Sequence, residues 1–457
     1  MEKIDKILIS ILYVIVGGVI LFTFFKIKRK KKFAPAYSGL IFGIILYYII
    51  IPIITVINIE QMISFENSLG MWGNNTIQRL IIKQPITYYI YSILMIILLI
   101  FFYNIFYLVG YKKNYEKIDA IEEKEKRLYK IIEILNYFLF FIGTISLIIF
   151  FKSFGGIKNA LYYAEYARSF SNNLSELVGE ASLFIVTAKF ITVVPFLTLI
   201  LMNTESASKK IYYKNIFIIS NILSILYFMF NAGRAPIIVF MLCYIFAFLK
   251  GHLKNVWKLI IVLGIFSLPI LDVLDELFVY FRTGNLDINK SANILSYVYQ
   301  FMYPFRNILN LLPMENIYGF NWGKDFIYAF IDILPGISFD ASYINTSVYV
   351  NGLNWTVLGG IPNDLITFFH IEAGPIGVVI LSSILGVLTQ KIDINLSKIK
   401  NIKNRNLIEG IITIYYFQLV CNSDFITILR GNFMIIIFTI ISLYLGKNNT
   451  IKKETKK

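Results

Sequence analysis

Apolar positions run along this chain in blocks near 20 residues long, and lysine-rich polar stretches separate one block from the next. A helix of about 20 apolar residues is what one crossing of a bilayer's hydrocarbon requires. The pattern predicts eleven membrane-spanning helices, at roughly 7–25, 37–57, 86–108, 131–151, 181–203, 215–230, 235–250, 257–279, 373–390, 407–423 and 427–446. These divide the chain into helices 1–8 (residues 1–279), a large outer loop (280–372), helices 9–11 (373–446) and a basic tail (447–457). The expected fold is an all-α polytopic integral membrane protein with a large helical extracytoplasmic loop. No small-residue cleavage pattern follows the first block, so it reads as a retained span and not a removed signal peptide.

Composition sharpens this picture. Of 457 residues, 57% are hydrophobic and only 16% charged, against about 25% charged in soluble domains. Soluble, disordered and disulfide-rich classes are excluded. Cys243 and Cys421 both lie in apolar runs, so neither a disulfide framework nor a metal cluster is implied.

Charge then sets the orientation. Lys26–Lys32 holds six positive charges in seven residues, and lysine and arginine favour cytoplasmic loops. Alternation from there places 26–36, 109–130, 204–214, 250–258, 390–406 and 447–457 inside. Those segments hold 29 of the 43 basic residues and 8 of the 28 acidic ones, a balance of +21; the rest of the chain balances at −6. The formal charge of +15 is thus a topology signal and a contact with anionic membrane lipid, not a nucleic-acid footprint. The N-terminus is expected outside and the C-terminus in the cytoplasm.

Arginine behaves differently from lysine. Inside, the ratio is 26 Lys to 3 Arg; elsewhere it is 8 Lys to 6 Arg, namely Arg79, Arg168, Arg234, Arg282, Arg306 and Arg430. Arginine grips phosphate and carboxylate through a planar fork that lysine lacks. Its enrichment on the side that topology does not ask to be positive points to an anionic ligand there, with ion pairing to the outer acids as the structural alternative. Lys189, about eight residues into its span, joins the candidates because an intramembrane charge is expensive unless used.

The outer loop carries 19 aromatic residues, Trp322 and Trp355 among them, which suit either an interfacial belt or the apolar faces of sugars. At its end, His370 and Glu372 could supply a general base and its orienting partner; a hydrogen-bonded structural histidine is the competing reading. No phosphate-binding glycine loop, zinc motif or serine-hydrolase elbow occurs. Nor are there pseudo-symmetric halves with broken helices, the mark of many transporters.

The segment Gly359–Gly377, with its Gly-Gly-Ile-Pro opening and Gly-x-x-Gly span entry, resembles the end of the large outer loop in bacterial oligosaccharide repeat-unit polymerases, the Wzy-type O-antigen and capsule polymerases. Gly155–Ala160 running on to Arg168, and the Gly-Arg turn at Arg234, are similar to that family too. The likeness extends over most of the chain from about residue 150, and the layout is similar to lipid-linked-sugar glycosyltransferases of the C type. Position 368 is Phe where that family often has an acidic residue, which leaves His370 and Glu372 as candidates. The resemblance implies polymerisation of undecaprenyl-diphosphate-linked oligosaccharide on the outer face of a bacterial cytoplasmic membrane. It also implies no cofactor and, as partners, a flippase and a chain-length regulator. On that reading Glu372 or His370 is the base. Arg234, Arg306 and Arg430 hold the diphosphate, supported by Arg168, Lys189 and Arg282, and no metal is required. An O-antigen ligase is the alternative within enzymes, and a lipid-linked oligosaccharide flippase or other transporter the alternative of another class.

Overall fold

A computed structural model of the chain describes residues 3–31, 33–68, 77–109, 122–169, 179–204, 207–230, 234–250, 294–331, 361–430 and 433–447, with isolated positions between 262 and 280. The described residues are nearly all helical and include no strand. We number the helices α1 (Lys3–Lys30), α2 (Pro35–Ile57), α3 (Ile59–Ser68), α4 (Ile86–Val109), α5 (Glu122–Ser153), α6 (Ile157–Ser169), α7 (Leu183–Met202) and α8 (Ala207–Phe230). There follow α9 (Arg234–Lys250), α10 (Ile294–Phe301), α11 (Tyr303–Leu309), α12 (Leu311–Tyr318), α13 (Lys324–Ile331), α14 (Leu365–Ser397), α15 (Ile402–Leu419), α16 (Phe425–Arg430) and α17 (Phe433–Lys447).

Seven helices among the described residues are long and apolar enough to cross a membrane: α1, α2, α4, α5, α7, α8 and α14. Two shorter apolar helices cover Pro236–Lys250 and Phe433–Gly446. The described residues thus have the make-up of an all-α membrane protein. Most of the predicted eighth span, 257–279, lies outside the described residues. The predicted tenth span corresponds to α15, and the eleventh is divided between α16 and α17.

Close packing starts at α2. A Cβ on Gly39 would collide with the Thr413 carbonyl oxygen, and one on Gly43 would meet that of Phe417 at 2.7 Å. This small-xxx-small pair lets α2 and α15 touch backbone to backbone, the contact that replaces the hydrophobic effect between helices in lipid. Further along α2, Pro52 has no N–H to give, and the turn before it, Leu46–Ile50, widens to a π-helix. That is how helices commonly absorb a proline.

Segments that the charge pattern groups together meet at one end of the bundle. Lys31 Nζ donates to the Tyr107 carbonyl at 3.2 Å. Lys250 pairs with Glu409 at 2.7 Å, and Asn203 Nδ2 donates to Asn404 Oδ1 at 2.8 Å. Asp393 near the end of α14 caps the start of α2, accepting from Ala36 N at 2.8 Å, Tyr37 N at 3.3 Å and Tyr107 Oη at 2.8 Å. The first N–H groups of any helix lack partners within it, and α2 has no side-chain cap of its own. A buried carboxylate on a neighbouring helix supplies one. At the opposite end, Lys6 reaches Glu60 at 3.0 Å.

Candidate acid–base site

The far end of the bundle is organised by a break in α14. The helix begins at Asp364, whose side chain accepts from Ile366 N and Thr367 N and takes the Tyr48 hydroxyl at 2.5 Å. Asn363 binds Asp424 through its own N–H at 3.1 Å and its side-chain amide at 2.6 Å. Leu365 N donates to the Val420 carbonyl at 2.9 Å, and Ser423 N to the Asn363 carbonyl at 2.8 Å. The start of α14 is therefore clamped into the gap between α15 and α16. Every residue from Leu365 to Glu372 is buried.

The helix then breaks. Ala373 and Gly374 leave helical geometry, Gly374 with φ +62°, and Pro375 follows. Proline cannot continue the donor ladder, and positive φ is cheap only for glycine. A helix end leaves carbonyls without partners, and the loop after α12 takes them: Asn321 N donates to the Ile371 carbonyl at 2.9 Å and Trp322 N to that of Glu372 at 2.7 Å. The residues read from sequence as the end of the outer loop thus form a short buried helix of their own, and a broken helix is present where the sequence showed none.

Both candidate residues of this segment have polar partners, in two separate sets beside the same loop. His370 Nε2 lies 2.7 Å from the Tyr91 hydroxyl of α4 and 3.6 Å from Glu315 Oε2 of α12. Glu372 Oε2 accepts from Gly323 N at 2.7 Å, and its carboxyl also interacts with that of Asp325. Asn321 Nδ2 fixes Asp325 Oδ2 at 2.9 Å. Phe320 lies edge-on to the imidazole, ring centres 6.0 Å apart. His370 and Glu372 are almost fully buried, whereas Glu315 is about one-third exposed, so the histidine's set reaches the surface through Glu315. Two neighbouring carboxyls favour holding one proton between them. The imidazole meets both the phenol and the carboxylate through the one nitrogen, Nε2, which accepts from the Tyr91 hydroxyl or donates according to its tautomer. Between them the two sets have the parts for general acid–base work.

Two of the arginines singled out in the sequence, Arg79 and Arg306, border a second cluster around Glu66 and Tyr299. Glu66 accepts from Ile77 N at 2.9 Å and from the Tyr299 hydroxyl at 3.1 Å. The Arg306 guanidinium lies over the Tyr299 ring at 5.3 Å. Burial pushes the pKa of Arg79 down, and the charge of Glu66 opposes that shift. Arg306 is buried on α11, which is tied to the start of α14 by Asn307 Nδ2 donating to the Pro362 carbonyl at 3.1 Å. Lys189 is elsewhere: it lies in a 3₁₀ turn within α7, buried, with its ammonium 5.3 Å from the Phe433 ring centre. Arg234 opens α9, Arg168 lies near the end of α6 and Arg430 ends α16, but their side chains are outside the description, as is Arg282 altogether. Among the described residues no three His, Cys, Asp or Glu form a metal-binding group.

Glu315, Asp325 and Tyr91 were not anticipated. Nothing local in the sequence marks them, since they join His370 and Glu372 only through the fold. Asp364 did carry a signal, an Asp directly before an apolar run, which is a helix-start signature. Compared with protein-family models, with curated proteins and with solved structures, the chain matches none of them.

Proposed function

We propose that this protein is a glycosyltransferase of the outer face of a bacterial cytoplasmic membrane, joining oligosaccharide units carried on undecaprenyl diphosphate into longer chains. The observation that supports the reading is that His370 and Glu372, chosen from sequence, each gain titratable partners, Tyr91 and Glu315 for His370 and Asp325 for Glu372, at the end of the bundle opposite the lysine-rich segments. In the reaction the bond between the sugar's anomeric carbon and the diphosphate oxygen breaks. A hydroxyl of the acceptor unit forms the new bond, its proton passes to the base, and undecaprenyl diphosphate leaves. Glu372 or His370 takes the proton, a role typically worth about 10²–10⁴ in rate. Arg306 and Arg79 are the first candidates for the departing diphosphate charge, because fixed cations stabilise a leaving anion without reorganising. Arg168, Arg234, Arg282, Arg430 and Lys189 are the further candidates for holding it. A flippase supplies the substrate from the inner face, and a chain-length regulator is a fitting partner.

The test is deletion of the gene in its host, with gel analysis of surface glycan. Loss of the ladder to single repeat units, restored by the wild type but not by Glu372→Gln, supports polymerisation. An unchanged ladder rejects it, and long lipid-linked chains accumulating without surface glycan identify a ligase. Two features favour a second reading: α14 is broken, and Asp393 and Glu409 are buried acids within apolar helices, both traits of transporters. Accumulation of single lipid-linked units on the inner face of the deletion strain selects that reading instead.

A further inference from the structure

Beside the acid–base groups, α13 is built inside out. One face carries Asp325 and Ala329, both buried. The opposite face carries Ile327, Phe330 and Ile331, all exposed, Ile327 at 64% and Phe330 at 60%. A helix at a water-facing surface has the reverse arrangement, apolar side inward and polar side outward. An acid turned in and an isoleucine–phenylalanine face turned out suit surroundings that are themselves apolar. Contiguous exposed apolar surface of this kind marks an interaction site.

Trp322 extends that surface. Its indole is 69% exposed, and its backbone, at φ +53°, is the one left-handed non-glycine among the described residues, a conformation unfavourable for a residue with a side chain. The turn is pinned to the break in α14: Trp322 N donates to the Glu372 carbonyl at 2.7 Å, and Gly323 N to the Glu372 carboxylate at 2.7 Å. Just past that break a stripe begins on α14, Ile376, Ile380, Ile384 and Leu388, four residues apart and all exposed. Such a stripe on a long apolar helix is a lipid-facing side, and exposed Lys391 closes it. It is short. The fifteen residues from Ile376 to Lys391 make about 22 Å of helix, against about 30 Å of hydrocarbon in a bilayer. To match the bilayer, apolar surface has to continue past Ile376, and Trp322 with α13 is held there by Glu372.

We propose that α13 and Trp322 form a membrane seat, with the outward face of α13 lying in the acyl-chain border of the leaflet at this end of the bundle and Trp322 as its anchor. The occupant of the apolar face is the lipid of that leaflet, as for the stripe that the face continues. Tryptophan's amphipathic ring suits the border between chains and headgroups, and a helix with one strongly apolar face lies along it. A glycan platform would need polar side chains to meet hydroxyls, and Ile327, Phe330 and Ile331 offer none. Because Gly323 and Asp325 both engage Glu372, the seat sets the depth of these carboxyls at headgroup level. It does not depend on the activity proposed for them.

The test leaves Trp322 as the sole tryptophan of the full-length protein, through Trp72→Phe, Trp257→Phe and Trp355→Phe, reconstituted in phosphatidylcholine bilayers. Expected is the loss of most Trp322 emission when the lipid carries bromine in the upper part of its acyl chains, and little loss to iodide added in the water. Ile327→Cys bearing a nitroxide reads the same face if the triple variant folds poorly, since the chain's own Cys243 and Cys421 are buried. Its relaxation should be enhanced more by oxygen than by a water-soluble nickel chelate. Quenching of Trp322 by iodide and not by brominated lipid, or a nitroxide more open to the nickel chelate, overturns the proposal. Protection from that iodide by a soluble oligosaccharide would assign the ring to glycan instead. Shielding of Trp322 from both quenchers overturns it as well, because protein then covers the face.

Discussion

Carboxylates are buried at both ends of this bundle, but they are used in opposite ways. At the lysine-rich end, Asp393 is held by two backbone N–H groups and a tyrosine hydroxyl, and Glu409 by Lys250. Each acid there answers a structural demand, capping α2 or neutralising a cation. At the other end, Glu372 neighbours Asp325, and Glu315 neighbours His370. Those groups sit where protons can be exchanged between them, on a helix end that the loop 319–323 keeps in place. An acid met by fixed donors or a cation stabilises a fold, whereas a carboxyl beside another carboxyl or an imidazole is the arrangement a candidate acid–base site requires. Burial alone does not separate the two.

The largest effect that can break this contrast is on activity. Glu372→Gln keeps an oxygen that can accept from Gly323 N, so the fold should persist while polymerisation falls by about a hundredfold or more, the usual range for losing a general acid or base. His370→Ala should fall comparably. In vitro chain extension from a lipid-linked acceptor is the measurement, and near-normal extension by both variants would return this cluster to a structural role.

At the opposite end the sign reverses. Asp393→Ala strands two N–H groups and the Tyr107 hydroxyl. Leaving buried donors unsatisfied costs about 1–3 kcal/mol each, so the variant should lose roughly 3 kcal/mol or more, seen as a Tm lowered by several degrees in detergent. Whatever protein remains folded should retain its activity. Inactive protein of normal Tm would show that the lysine-rich end takes part in the reaction.

The break in α14 can be probed separately. A Cβ at Gly374 would lie 2.8 Å from Phe320 Cζ, at φ +62°. Left-handed geometry alone costs a residue with a side chain about 1–2 kcal/mol. Gly374→Ala should therefore cost at least that in stability and, by displacing Phe320 from His370, reduce activity more than Asp393→Ala does. Chain extension normalised to folded protein distinguishes the two.

Much of the architecture was legible because bilayer thickness imposes a length on apolar blocks, and that rule recovers α1, α2, α4, α5, α7, α8 and the main part of α14. His370 and Glu372 were legible as rare titratable residues beside a span. The break between them and that span was not, because Gly374-Pro375 reads equally well as the start of a helix and as an interruption within one. Asp393 was hidden by its neighbours: with Lys391 and Lys398 nearby it looks like part of an inner loop, and only the approach of α2 turns it into a cap. Pairings such as Glu372 with Asp325, or Glu66 with Tyr299, depend on which loops fold back, and no periodicity encodes that.

The smallest predicted effect is one of pH, and it belongs to the lysine-rich end. Burial lowers the pKa of Lys31 from the ordinary value of 10.5 to about 8, with the charge of Asp393 pulling the other way. Between those values the unfolded chain binds a proton that the folded protein does not, so stability rises as pH increases through that window. Below about pH 8 the lysine is charged in both states, and the cost of burying it is carried in full. Unfolding midpoints should thus climb modestly from pH 8 towards pH 10, and Lys31→Met should remove the climb.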